Sequence, residues 1–91
     1  MTTSGTPALL TVTGPDRPGV TARVTAILAA HGAEMVDVEQ VVVNGHLSLG
    51  IMTRVDENAD AVVVVRELTE QVSELGMQLD VQFDDIAPAA P

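Results

Sequence analysis

Apolar positions recur along this chain with two periods, and each change of period marks a new element. Over residues 8–13 the alternation puts Leu10 and Val12 on one face, which predicts a strand. From Val20 the spacing turns helical, with Val24, Ile27 and Leu28 following. Gly32, just past His31, is placed to stop that helix in a left-handed turn. EMVDVEQVVV is rich in β-branched residues and predicts a second strand. Asn44-Gly45 is a two-residue hairpin signal, and HLSLGIMTRV alternates behind it with Leu47, Leu49, Ile51 and Val55 on one face.

DENAD interrupts the pattern. The VVVV that follows would suit a strand, but Ala61, Val64, Val65, Leu68, Val72 and Leu75 continue a 3.6-residue stripe, so 60–75 reads as a helix ended by Gly76. MQLDVQF then alternates strictly, which predicts Met77, Leu79, Val81 and Phe83 inward. The order is two βαβ halves joined by a tight hairpin. Right-handed crossovers leave few arrangements, and the natural one is an α+β, ferredoxin-like βαββαβ sandwich: a four-stranded antiparallel sheet with two helices on one face. One sheet face and one edge stay uncovered, where Met35, Val41, Val43 and Met52 are expected. A second copy of the chain is the simplest cover.

The chain has 91 residues and fits one domain, expected over 8–84, with a loose start at 1–7 and a linker-like Pro/Ala-rich tail at 85–91. That tail reads either as a link toward a further domain or as a frayed end. The only aromatic is Phe83, so the core is aliphatic and no base-stacking platform exists. A net charge of −9 disfavours nucleic acid and anionic membrane surfaces. Without cysteine there are no disulfides or thiolate metal sites. MTTSGTPA is not a signal peptide and no run is long enough for a membrane span, so the cytoplasm is the expected location.

TGPDRPGV joins the first strand to the first helix. Pro18 disfavours helical geometry at Arg17 and suits the first helical position itself, which makes Arg17 the expected N-cap. Arg17 has no side-chain oxygen to accept a bond. Amides at Gly19, Val20 and Thr21 then need an acceptor: Asp16, water, or a ligand carboxylate favoured by the helix dipole. Gly19 lacks a Cβ, so another group can approach, and Gly19→Val is expected to crowd it out. The same residues also make an ordinary tight βα turn, and both readings stay open. The loop lacks the Gly-Lys-Ser/Thr ending of a phosphate loop.

With DRPG at 16–19 and HGAEMVDVEQ at 31–40, the chain resembles an ACT domain, a small regulatory module of amino-acid metabolism, over about residues 8–84. VEQVVV followed by LSLGI is most similar to the N-terminal ACT region of actinobacterial phosphoserine phosphatases. Stand-alone ACT proteins and repressor-like ACT proteins of the glycine cleavage system are a second match. The resemblance implies a homodimer that binds a small amino acid, serine or glycine first, at an interface near the first strand–helix loop. Carried over, the ligand-binding positions are Asp16, Arg17, Pro18, Gly19 and Val20, with Glu34 and Met35 facing the loop of the partner. Where serine-sensing relatives typically carry His and Asn, this chain has Gly14 and Glu34. Helix amides would hold a ligand carboxylate, with Arg17 as an alternative clamp, and Asp16 or Glu34 would hold its ammonium. Read plainly, Arg17 and Glu34 are surface charges.

His31 and His46 share no metal-ligand spacing; His31 is expected in the last helical turn and His46 exposed beside the hairpin. Asp37 and Glu39 share a strand face and read as part of a solvated acidic surface. No catalytic constellation is evident, and the Asp-x-Asp-x-Thr motif of the phosphatase domain is absent. The chain therefore reads as a non-enzymatic regulatory domain, without cofactor or metal. The alternatives are a module that only dimerises or docks a catalytic domain of the parent chain, and a stand-alone ACT regulatory protein.

Overall fold

The structure, a computed structural model, describes residues 6–56 and 60–83. The elements run β1 (Thr6–Pro15), α1 (Val20–Ala30), β2 (Glu34–Val43), β3 (His46–Val55), α2 (Ala61–Glu74) and β4 (Gln78–Phe83). The strands form one antiparallel sheet in the order β2-β3-β1-β4, which is the expected βαββαβ sandwich. β1 begins at Thr6, ahead of the expected residue 8. The expected loose start and linker-like tail lie, except for Thr6 and Pro7, outside the described residues.

Local chemistry explains the boundaries. The hairpin takes Asn44 and Gly45 at φ 52 and 75, the double positive φ of a type I′ turn whose twist matches its strands. α2 starts where the Asp60 carboxylate accepts from the Val62 amide at 3.0 Å. Both helices end in turns through glycine, at Gly32 and Gly76.

The core is a single aliphatic layer between the helices and three strands. Leu10 and Val12 of β1, Leu47, Leu49 and Ile51 of β3, Val24 and Leu28 of α1, and Leu68 and Val72 of α2 are almost wholly buried. Burying a leucine-sized side chain contributes about 1.5–3 kcal/mol, so this layer is the main stabilising force. The helices are stapled to each other at their exposed flank: Arg23 donates to Gln71 Oε1 at 2.9 Å, and His31 Nε2 lies 2.7 Å from Glu67 Oε1. His31 thus sits at the α1 C-cap as expected, with an acidic partner that periodicity does not reveal. His46 is exposed beside the hairpin.

Two expectations about facing residues need correction. Phe83 shares the inward face of β4, opposite Ala8, yet remains 42% exposed because β4 is an edge strand and only the start of α2 overhangs it. Met35 does not join Val41, Val43 and Met52 on the open sheet face. It lies opposite the buried Thr53, on the helix side, because a bulge between Met35 and Asp37 inserts one residue and reverses the alternation. The Thr53 hydroxyl donates to the Glu34 carbonyl at 2.8 Å and holds the strand at that bulge.

Candidate functional site

The β1–α1 joint differs in detail from its sequence reading. The N-cap is Gly19, not Arg17, and the helix begins at Val20, not Pro18. Gly19 adopts φ 85, ψ 1, a left-handed conformation that Pro18 in a first helical turn would preclude. The first intrahelical bond runs from the Arg23 amide to the Gly19 carbonyl, 2.9 Å. The amides of Val20, Thr21 and Ala22 precede it, and no side chain caps them. An acceptor placed there would meet the positive end of α1.

The space beside this helix end is open. A Cβ built on Gly19 would meet nothing within 4 Å. Gly19→Val would therefore meet no protein atom, and its strained backbone adds to the crowding of a ligand expected from the sequence. Asp16 does not bend back onto the helix; its own amide donates to the Gly45 carbonyl at 2.9 Å and pins the loop to the hairpin. Asp16, Arg17, Pro18 and Gly19 are all exposed, whereas Val20 is buried in the core and offers the site only its amide. Arg17 reaches away from α1: its Nη2 lies 3.8 Å from where a Cβ on Gly76 would stand, at the C-terminal turn of α2.

Glu34 and Met35 are not brought to this loop within one chain. Pro15 pairs with His46 at one end of β3, and Glu34 pairs with Arg54 at the other. That separation is about 27 Å at ~3.4 Å per strand residue. The Glu34 carboxylate accepts from Arg54 Nη1 at 3.3 Å, a contact the sequence reading missed. Gly14 faces the core, and a Cβ on it would stand 2.9–3.2 Å from Met77 atoms. Met77 fills the place where a histidine would stand. Sequence reasoning also missed the hydrogen bond from Thr21 Oγ1 to Gln40 Oε1, 2.8 Å, which joins the first turn of α1 to the edge strand. The only signal for it was a neutral polar residue facing the apolar side of β2.

Concave surface lies elsewhere. An apolar groove runs between Val62, Val65 and Phe83 with Arg66 at its rim, and a shallow depression on the open face is lined by Leu9, Asp37, Glu39, Gly50 and Met52. Among the described residues no group of three or more histidines and carboxylates could hold a metal ion, and no helix is long and apolar enough to cross a membrane.

The family model for the ACT domain matches residues 6–82, from the first strand to the last. The chain belongs to the ACT domain family. It is 36% identical over 81 residues to the phosphoserine phosphatase SerB2 of Mycobacterium tuberculosis, a match that covers 88% of this chain and 20% of that enzyme. It is 34% identical to a UPF0237 protein of Methanopyrus kandleri, over 89% of this chain and 91% of that protein. The chain thus spans a small part of one relative and nearly all of another. The same fold occurs in an ACT domain protein from Streptococcus pneumoniae, with a TM-score of 0.77 and 24% identity over 88% of this chain and 91% of that one.

Proposed function

We propose that this ACT domain is a regulatory module that binds a small amino acid between two copies of the chain. The observation that carries the reading is the contrast between its helices: α2 is capped by Asp60, whereas α1 opens onto solvent with its first amides uncapped and free space beside Gly19. A ligand carboxylate completes that helix end. Asp16, exposed next to it, balances the ammonium, and Glu34 and Met35 complete the site from the partner, since they lie too far from the loop of their own chain. Arg17, whose guanidinium lies near the C-terminal turn of α2, shapes the approach more than it clamps the ligand.

The parent activity we favour is a cytoplasmic phosphoserine phosphatase of serine biosynthesis, supported by the identity to the mycobacterial enzyme, with this domain as its allosteric and non-catalytic part. Serine and glycine are the first ligands to test. A stand-alone regulatory protein is the second reading, supported by the archaeal relative of similar length. A module that only dimerises is the third, supported by the full exposure of β2.

A thermal-shift screen of the full chain with the twenty amino acids at millimolar concentration tests the site. A ligand at a hundred times its Kd adds about 2.7 kcal/mol, which is roughly 10–20 °C for a domain of this size. A flat response alongside a concentration-dependent mass in sedimentation velocity leaves dimerisation alone. Turnover of phosphoserine by this chain would refute the non-catalytic assignment.

A further inference from the structure

We propose that the segment after β4 turns back over the start of α2, seating Ile86 in the apolar groove between Val62, Val65 and Phe83, with Asp84 and Asp85 beside Arg66. The β1–α1 loop lies at the other end of the sheet, so this contact stands or falls independently of amino-acid binding.

The groove is an outward continuation of the core. Ala61, Val62 and Val65 of α2 line it together with Phe83 of β4. Val62 is 65% exposed and Phe83 42%. Ala61, Val65 and Phe83 also line the small crevice beneath, which reaches the buried Leu10, Val64 and Leu68. Neighbouring exposed apolar side chains that adjoin a core mark a surface that takes a cover.

The chain itself supplies the nearest cover. Phe83 is the last residue of β4, and DDIAPAAP follows it. Ile86 is the one large apolar side chain in that stretch. Three residues span at most about 10 Å, and Phe83 already stands in the groove, so Ile86 is within reach of it.

The sequence pattern requires a turn for Ile86 to be buried. Leu79, Val81 and Phe83 lie on the helix side of β4, opposite Val12, Leu10 and Ala8. A regular strand continued past Phe83 would bring the Asp85 carboxylate to that side, against apolar walls, and turn Ile86 to the open face. Desolvating an unpaired carboxylate is costly, and an exposed isoleucine forgoes its burial. A turn at the two aspartates, a residue type suited to turns, reverses both: the carboxylates stay at the rim and Ile86 points in. Arg66 stands at that rim and pairs with no carboxylate among the described residues. An exposed ion pair contributes little to stability, so Arg66 orients the segment while Ile86 holds it. Docked in this way, the segment sets the direction in which the chain leaves the domain, across α2 and away from the β1–α1 loop.

Methyl NMR of the full chain tests the contact, since the other isoleucines, Ile27 and Ile51, are buried in the core and Phe83 is the only aromatic residue. The Ile86 δ1 methyl is expected to show nuclear Overhauser cross-peaks to the methyls of Val62 and Val65, unchanged on dilution. In urea titration Ile86→Ala is expected to raise the unfolding constant about fivefold, less than full burial of an isoleucine would give. In a Val62→Ala background that factor should fall to roughly twofold or less, because the two side chains share one contact. Absence of both cross-peaks overturns the docking. An unfolding constant that Ile86→Ala leaves unchanged overturns Ile86 as the anchor. Cross-peaks that arise only between differently labelled copies and fade on dilution assign the groove to a second copy and overturn the contact within one chain.

Discussion

Gly14→Ala separates two physical costs that usually arrive together. Gly14 faces the core at φ 153, where L residues are strained, and a Cβ there would stand 2.9 Å from Met77 Cγ and 3.1 Å from Met77 Cα. The first atom belongs to a flexible side chain, but the second is backbone and cannot move without shifting the start of β4. Gly32 is the control: at φ 74, a Cβ would meet nothing within 4 Å. Gly32→Ala should therefore cost only the left-handed penalty, about 1–2 kcal/mol. Gly14→Ala should add overpacking of about 1–3 kcal/mol, for a total of roughly 2–5 kcal/mol. At about 4–8 °C per kcal/mol in a domain of this size, Gly14→Ala should lower Tm by at least 8 °C. Urea titration of both variants by far-UV circular dichroism measures the difference. Adding Met77→Ala should cost less in the Gly14→Ala background than in the parent, because the side-chain part of the overlap disappears. Equal losses for the two glycine variants, with no coupling to Met77, would refute the argument that Met77 occupies the space over Gly14.

Other variants test the remaining parts of the fold and the site. Leu68→Ala, at a wholly buried position of α2, should lose about 2–5 kcal/mol in the same titration. Asp60→Ala should lose about 0.5–2 kcal/mol through the Val62 amide, while Asp60→Asn keeps most of it. Gly19→Asn should fold nearly as well as the parent, since asparagine tolerates the left-handed region, yet should weaken amino-acid binding by placing a side chain beside the open helix end. Normal titration of that variant in calorimetry would argue against the α1 terminus as the ligand site.

The sequence made the strands plain and the contacts between elements obscure. β2 and β3 run over the predicted residues, because β-branched alternation on either side of Asn44-Gly45 leaves the hairpin no other register. The start of α1 was misplaced by two residues, since the preference of Pro18 for a first turn says nothing about a left-handed Gly19 that follows it. Met35 was assigned to the wrong face because strict alternation cannot anticipate an inserted residue. Phe83 showed its face but not how far α2 would cover it. The nearness of Arg17 to the α2 terminus and the hydrogen bonds from Arg54 to Glu34 and from Thr21 to Gln40 depend on which elements become neighbours, and a lone polar residue carries no mark of its future partner.

The extra residue between Met35 and Asp37 makes this stretch of β2 tolerant of a change in length. Removing Val36 would make the strand regular, with Met35 still opposite Thr53, Glu34 still opposite Arg54 and every residue from Asp37 onward in its place against β3. A single-codon deletion there would thus remove the bulge and leave the core and both faces of β2 as they are.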